Sequence, residues 1–219
     1  MSISRRLTRW AKQGLNDEAL ARLAGALLLS LQGSICVYQG EELGQTETEL
    51  EYFELDDPQG KRFWPENKGR DGCRTPMVWD NAEANCGFSS GNGRPWLPIK
   101  APQAARHVAG QVGRPDSVLE FYRRMLRLRR GTEALRTGHT RLFDTSEPVL
   151  AFLRGDEVLC VFNLSPEIRE VTLAGAGVMA ISQNAERTGD RLKLHPNGFA
   201  LMAAAGEVSV ADAWPGTAS

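Results

Sequence analysis

The sequence predicts a two-part chain, an α/β segment followed by an all-β one. Three observations carry that expectation: an apolar helix running straight into an apolar strand, a long non-periodic stretch closed by an amphipathic helix, and a series of short strands near the C-terminus. Residues 17–31, DEALARLAGALLLSL, place acids in front of a segment that is apolar nearly all round. They predict a largely buried helix that starts near Asn16 and is stopped by Gly33. Residues 34–39, SICVYQ, then read as a short apolar strand broken by Gly40. A buried helix feeding such a strand is one step of a parallel sheet. A parallel strand needs neighbours, and none is encoded in the first half, which therefore reads as a piece of something larger.

Residues 41–113 have little periodicity. They divide into an acidic stretch (47–57), the stretch NKGRDGCRTPMVWDN (67–81) and a Pro/Gly stretch (91–102). A disordered linker would not gather Phe63, Trp64, Met77, Trp79 and Phe88 so closely. Ordered, non-periodic, arginine-bearing segments are loops that build sites. The helix that follows, over residues 116–130, has a capping box in Ser117 and Glu120. Val118, Tyr122, Met125 and Leu126 form its apolar stripe, Phe121 and Leu128 flank it, and Gly131 stands where a C-terminal cap belongs. Its arginine-rich outer face is expected to be a solvated face rather than a nucleic-acid patch.

After Arg136 the texture changes, so the boundary falls between residues 1–136 and residues 137–219. PVLAFLRGDEVLCVFNLSP reads as two strands around a Gly155-Asp156 turn. REVTLAG, GVMAISQN, DRLKLHP and GFALMAA continue as short strands, about six in all at the spacing of an antiparallel β-sandwich. The tail from Glu207 is small and polar enough to fray.

With 42% hydrophobic residues and a formal net charge of -1, the composition is that of an ordinary globular chain. It gives no reason to expect a nucleic acid or an anionic membrane as partner. No apolar run reaches the roughly 18 residues of a membrane span, and the arginine-bearing N-terminus leads into no secretory core, so a cytoplasmic location is expected. Cys36 and Cys160 lie in apolar runs and are expected to be buried. Cys73 and Cys86 could bridge, but free thiols are expected in a reducing compartment. His107, His139 and His195 are isolated, which argues against a metal site or a histidine-dependent triad.

At GSICVYQGEELG, FWPENKGRDGCRTPMVWDN and NGRPWLP the chain resembles glycoside hydrolase family 13, in its α-glucosidase and oligo-1,6-glucosidase branch. The order of these motifs, followed by a helix ending LRLRR and then a β-domain, is specific to that branch and covers almost the whole chain. The resemblance implies the C-terminal end of a (β/α)8 barrel, followed by an antiparallel β-sandwich. Residues 34–39 would be the eighth strand, 41–113 the last loop and 116–130 the last helix. Active sites of such barrels lie in the loops after the strands, so the arginine-bearing stretch would be one wall of a sugar pocket. Arg70 and Arg74 match the two arginines of the family motif: the first would bond a hydroxyl of the terminal glucose, the second line the same end. Trp64 and Trp79 would stiffen the loop behind them. The alternative is that both arginines only tie the loop down through Asp71, Asp80 or Glu41.

Retaining hydrolysis needs a carboxylate nucleophile and a carboxylic acid about 5–5.5 Å apart. In the family these lie upstream of the residues present here. A third aspartate belongs to an Asn-His-Asp-Val-x-Arg stretch before Thr-Arg-Trp. Aligning Thr8, Arg9 and Trp10 puts the family arginine at Arg5, a further substrate contact, and Ser2 where the aspartate belongs. Glu41 and Glu42 follow a strand end, but adjacent glutamates diverge, and in the family the pair is structural. No catalytic residue, cofactor or metal is therefore expected. The chain reads as the C-terminal portion of an α-glucosidase, from a truncated or mis-started reading frame. Its partner would be an α-glucoside oligosaccharide in the complete enzyme. The rival is a non-catalytic carbohydrate-binding or partner module whose barrel is completed by another chain.

Overall fold

A computed structural model describes residues 8, 17–90, 93–146 and 148–212. The chain divides into two compact units, residues 1–22 with 37–123 and residues 23–36 with 124–219. Helix α1, Asp17–Ser30, begins in the first unit and ends in the second. Its apolar surface is buried as the sequence predicts, Ala26 and Leu29 completely. The chain then turns at Gly33, whose φ of 88° is left-handed.

Residues 34–39 form no strand: 34–38 take no regular structure and Gln39 lies in a turn. Cys36 and Tyr38 are exposed, against the expectation of a buried apolar strand. The reason is the one that made the segment look incomplete: a parallel strand exists only as part of a ladder, and no described residue supplies one.

Between residues 40 and 117 the first unit is an irregular loop assembly. Its described residues form short single turns and two short helices, α2 (Pro58–Arg62) and α3 (Ala101–Ala104). Such a segment has few ladder or helix bonds, so side chains must satisfy its backbone. Gln45 Nε2 donates to the carbonyls of Gln103 and Arg106 at 3.1 and 3.0 Å. Gln111 Nε2 donates to the Leu43 carbonyl at 3.0 Å, while its Oε1 accepts from the Leu119 amide at 3.1 Å. A small core of Leu50, Leu55 and Leu97, with Trp64 packed against it, lies under the loop.

Helix α4, Val118–Gly131, runs from the first unit into the second. Ser117 Oγ accepts from the Glu120 amide at 3.2 Å, the first half of the expected capping box. The Glu120 carboxylate instead accepts from the Gly113 amide at 3.0 Å. Val118, Phe121, Tyr122 and Met125 are buried, whereas Leu126 is 48% exposed, so the stripe is narrower than its pattern suggests. Gly131 is the last helical residue rather than a left-handed cap, and the short helix α5, Glu133–Arg136, follows after Thr132.

The second unit holds one antiparallel sheet of five strands in the order β1-β2-β3-β5-β4. The strands are β1 (Thr140–Leu142), β2 (Val149–Arg154), β3 (Val158–Asn163), β4 (Arg169–Thr188) and β5 (Arg191–Asp212). The four later segments expected as separate strands merge into the two long ones. β4 and β5 pair more than once: Val171 lies opposite both Leu192 and Asp212, while Ser182 lies opposite Ala200. Register shifts along the pair accompany this doubling, as bends in long strands require. Val149, Ala151, Leu159, Val161, Ala200 and Met202 share one core with Val171, Leu173, Leu192, Leu194, Val208 and Val210. Val208 and Val210 belong to the tail expected to fray, which is strand through Asp212 because Leu173 and Ala174 offer it a paired, apolar edge.

The other side chains of the inner strands are buried too. Phe152, Phe162 and Phe199 stack across neighbouring strands, with centroids 5.8 and 6.1 Å apart. Burial on both faces explains why VLAFL and VLCVF are nearly unbroken apolar runs.

Candidate functional site

The GRDG stretch is folded around Asp57. This residue caps α2, its Oδ1 accepting from the Gln59 amide at 2.9 Å, with Pro58 at the first helical position. Its Oδ2 accepts from the Arg70 amide at 2.9 Å and lies 3.7 Å from Arg70 Nε. Burial alone would raise the Asp57 carboxyl. The Gln59 and Arg70 amides, and then the charges of Arg70 and Arg74, outweigh it and hold the group below the usual carboxylate range. One buried carboxylate thus sits in the field of both candidate arginines.

Asp71 completes the frame. It is 1% exposed, and its Oδ2 accepts from the amides of Asp56 and Asp57, both at 2.7 Å. The two aspartates bind the loop crosswise, each using its carboxylate on the other's strand of the turn. The glycines are needed for that approach. Gly69 has a φ of 72°, and a Cβ there would stand 2.8 Å from Asp57 Oδ2. A Cβ on Gly72 would meet the Thr48 carbonyl oxygen at 2.7 Å.

The single turn Asp71–Cys73 follows, with Cys73 buried. Tyr38 donates its hydroxyl to the Cys73 carbonyl at 3.2 Å, and the hydroxyls of Thr48 and Thr75 bond each other at 2.9 Å. Arg70 and Arg74 bracket this fixed turn and are both exposed, the side chain of Arg70 by 45%. Among the described residues Arg74 forms no ion pair.

The alternative tie, through Asp71, Asp80 or Glu41, is for Arg70 made through Asp57 instead. Asp71 is occupied as described, and Asp80 Oδ1 accepts from the Ala82 amide at 3.0 Å. Asp57 is the residue the sequence reading missed. Its signal was present in Asp57-Pro58, the cap-and-proline pair that starts a helix. Arg5 and Ser2 lie outside the described residues.

Trp64 supports the loop from below, set edge-on to Tyr52 and with Lys68 Nζ 5.2 Å from its ring centre. Trp79 does not: the residue is 50% exposed, and it is held through the backbone, where its amide donates to the Cys86 carbonyl and its carbonyl accepts from the Ala109 amide, both at 2.8 Å. Glu41 and Glu42 turn back on their own chain, accepting from the amides of Tyr38 at 3.3 Å and Gly40 at 2.9 Å. All four cysteines are free thiols, and Cys36 is exposed where burial was expected. Among the described residues no helix is long and apolar enough to cross a membrane.

The arrangement can offer guanidinium donors from a rigid wall to a polar ligand. Comparison with known proteins gives that wall a context. The alpha-amylase catalytic domain profile matches residues 3–138. A probable alpha-glucosidase of Rhizobium meliloti (strain 1021) is 47% identical over 168 residues, 75% of this chain and 30% of that protein. An oligo-1,6-glucosidase of Heyndrickxia coagulans is 29% identical over 184 residues, 74% of this chain and 33% of that protein. Among solved structures, the alpha-glucosyl transfer enzyme XgtA superposes with a TM-score of 0.81 at 41% identity, covering 92% of this chain and 38% of that one. The chain therefore spans about a third of the length of the relatives it matches.

Proposed function

Because the chain belongs to the alpha-amylase family, glycoside hydrolase family 13, we propose that it forms the sugar-pocket wall and C-terminal domain of an α-glucosidase. Residues 1–136 then close the catalytic barrel, and residues 137–219, which hold the doubled sheet, are its C-terminal β-sandwich. The activity of the whole is retaining hydrolysis of terminal α-glucosidic bonds in oligosaccharides. The observation that carries this is the fixed GRDGCRTPM turn, which holds Arg70 on Asp57 while leaving its guanidinium accessible. Arg70 bonds a hydroxyl of the terminal glucose, and Arg74 and Arg5 line the same end of the pocket. A planar fork held from behind suits hydroxyls of fixed geometry.

The nucleophile and the acid come from outside this chain. Glu41, Glu42 and Asp71 are engaged with backbone amides, which leaves them poor candidates to attack carbon or protonate a leaving group. A retaining enzyme passes through a glycosyl-enzyme intermediate that either water or a second sugar can resolve. The likeness to a glucosyl-transfer enzyme makes a sugar acceptor the natural second substrate to try.

The test is a chimera in which these residues replace the matching third of the Rhizobium meliloti relative. The chimera should hydrolyse p-nitrophenyl α-glucoside. Its Arg70→Ala variant should lose about 2–4 kcal/mol of transition-state binding in kcat/KM, as loss of a charge-assisted hydrogen bond does. A folded chimera without turnover, or a variant with unchanged kcat/KM, would refute the assignment.

One observation favours a second reading. The half-exposed segment of residues 34–39 has no ladder partner among the described residues. In this alternative the chain is a non-catalytic carbohydrate-binding or partner module whose barrel another chain completes. Co-purification with such a chain, together with restored turnover, would separate it from the first.

A further inference from the structure

Of the described residues, five line a surface cleft of about 360 Å³ in the second unit, and four of them are arginines. Arg127, Arg129 and Arg130 come from α4 beside Leu126, and Arg136 comes from α5. We propose that this cleft is a binding site for a phosphoryl oxyanion, distinct from the Arg70 loop.

The first ground is charge. The chain as a whole is almost neutral, with a formal charge of -1. Yet among the described residues none of these four arginines forms an ion pair with an acid, and no acid lines the cleft. Like charges three apart on a helix, as Arg127 and Arg130 are, repel unless something neutralises them. The carbonyls at the end of α4 offset part of that repulsion, being the negative end of the helix dipole. Among the described residues the Arg136 guanidinium bonds one of them, and the side chains of Arg127 and Arg130 bond none.

The second ground is how the four divide their donors. Arg129 is buried and spends its own on main-chain carbonyls: Nη1 donates to Leu29, Leu31 and Leu135 at 2.9, 2.7 and 2.7 Å, and Nη2 donates to Gly33. Arg136 Nη1 donates to the Arg130 carbonyl at 2.5 Å, which holds α5 against the end of α4. Arg129 and Arg136 therefore supply fixed positive charge. Arg127 and Arg130 are exposed and their side chains form no hydrogen bond among the described residues, so their forks remain for a ligand. Forked donors match the tetrahedral oxygens of a phosphoryl group. Burial lowers the Arg129 pKa, and the charges of Arg154 and Arg136 lower it further, a sign of repulsion that no counter-ion relieves.

The third ground is size. Small-molecule sites begin at about 300 Å³, so the cleft holds more than a bare phosphate, with Leu126 as an apolar wall. The oxyanion could come as free inorganic phosphate or on a small phosphorylated molecule.

The 219-residue chain is titrated calorimetrically with inorganic phosphate, and separately with a hexose monophosphate, at ionic strength held constant with sodium chloride. Thermal unfolding is followed in parallel. Saturable one-to-one binding is expected, with a Tm that climbs with ligand concentration. Arg127→Ala and Arg130→Ala should each weaken it about tenfold or more, as loss of a charged hydrogen bond does. Tighter binding of the hexose phosphate assigns the site to a phosphorylated small molecule, and equal binding assigns it to free phosphate. Both variants alter exposed side chains, and circular dichroism checks that they fold. No saturable heat beyond that of chloride, or undiminished binding in both variants, overturns the proposal.

Discussion

Asp57 ties one short helix to the turn that carries Arg70, and its ionisation is built into that link. Its folded pKa is depressed, so its contribution to stability is fully present above the unfolded value and is lost as pH falls through the folded one. With an unfolded aspartate near 3.9, the loss should begin below about pH 4. Glu54 is held down in the same direction, by the Glu51 amide and by its bond to Lys100, and adds to the same acid limb. Asp57→Asn should flatten that limb in acid titrations of the denaturant midpoint. At neutral pH it should cost about 1–3 kcal/mol, because the Arg70 amide loses a charged acceptor and the guanidinium its opposite charge. An unchanged acid limb would show that Asp57 does not carry the link. The sequence marked Arg70 and Arg74 through their motif. It could not show which carboxylate stands behind Arg70, because that partner lies 13 residues away and is brought near only by the turn.

At the scale of elements, the end of α1 depends on a side chain from another helix. The carbonyls of Leu29, Leu31 and Gly33 all accept from Arg129, as does that of Leu135. Terminal carbonyls of a helix have no intrahelical partner, so this guanidinium caps α1 from a distance of about 100 residues. Arg129→Leu keeps the stem but strands those acceptors. It should destabilise the chain by roughly 3–5 kcal/mol, read from urea unfolding, as removing one side of a buried charged network does. The β strands rest on packing instead. Phe162 is completely buried between Phe152 and Phe199, so Phe162→Ala should cost about 3–5 kcal/mol in the same measurement, with little effect on any sugar contact. A loss below about 1 kcal/mol would mean that the stack is not holding the inner strands together.

For the whole molecule, the purified 219-residue chain should not hydrolyse p-nitrophenyl α-glucoside. Guanidinium contacts alone hold ground and transition states almost equally, and neither the covalent step nor leaving-group protonation has a carboxyl group to perform it. Turnover that survives purification and disappears in Arg70→Ala would refute this and point back to Glu41, Asp71 and Asp80. The sequence by itself determined the family, both long helices, and the hairpin around Gly155-Asp156, which is β2 and β3 as expected. Those features are written in local spacing: periodicity, a capping serine, a turn glycine, an ordered motif. It also told that residues 34–39 lack neighbours, though not that they would then form no strand. Only the tertiary structure decided that β4 and β5 each merge two expected strands and pair more than once, and that the tail through Asp212 is ordered. It alone decided that Asp57 stands behind Arg70 and that the α4 arginines of the cleft split into one buried brace, Arg129, and two exposed forks, Arg127 and Arg130. These are contacts between residues far apart in the chain, and their energies depend on burial and on unpaired charge. A linear pattern carries neither, because both arise only when distant segments share one space.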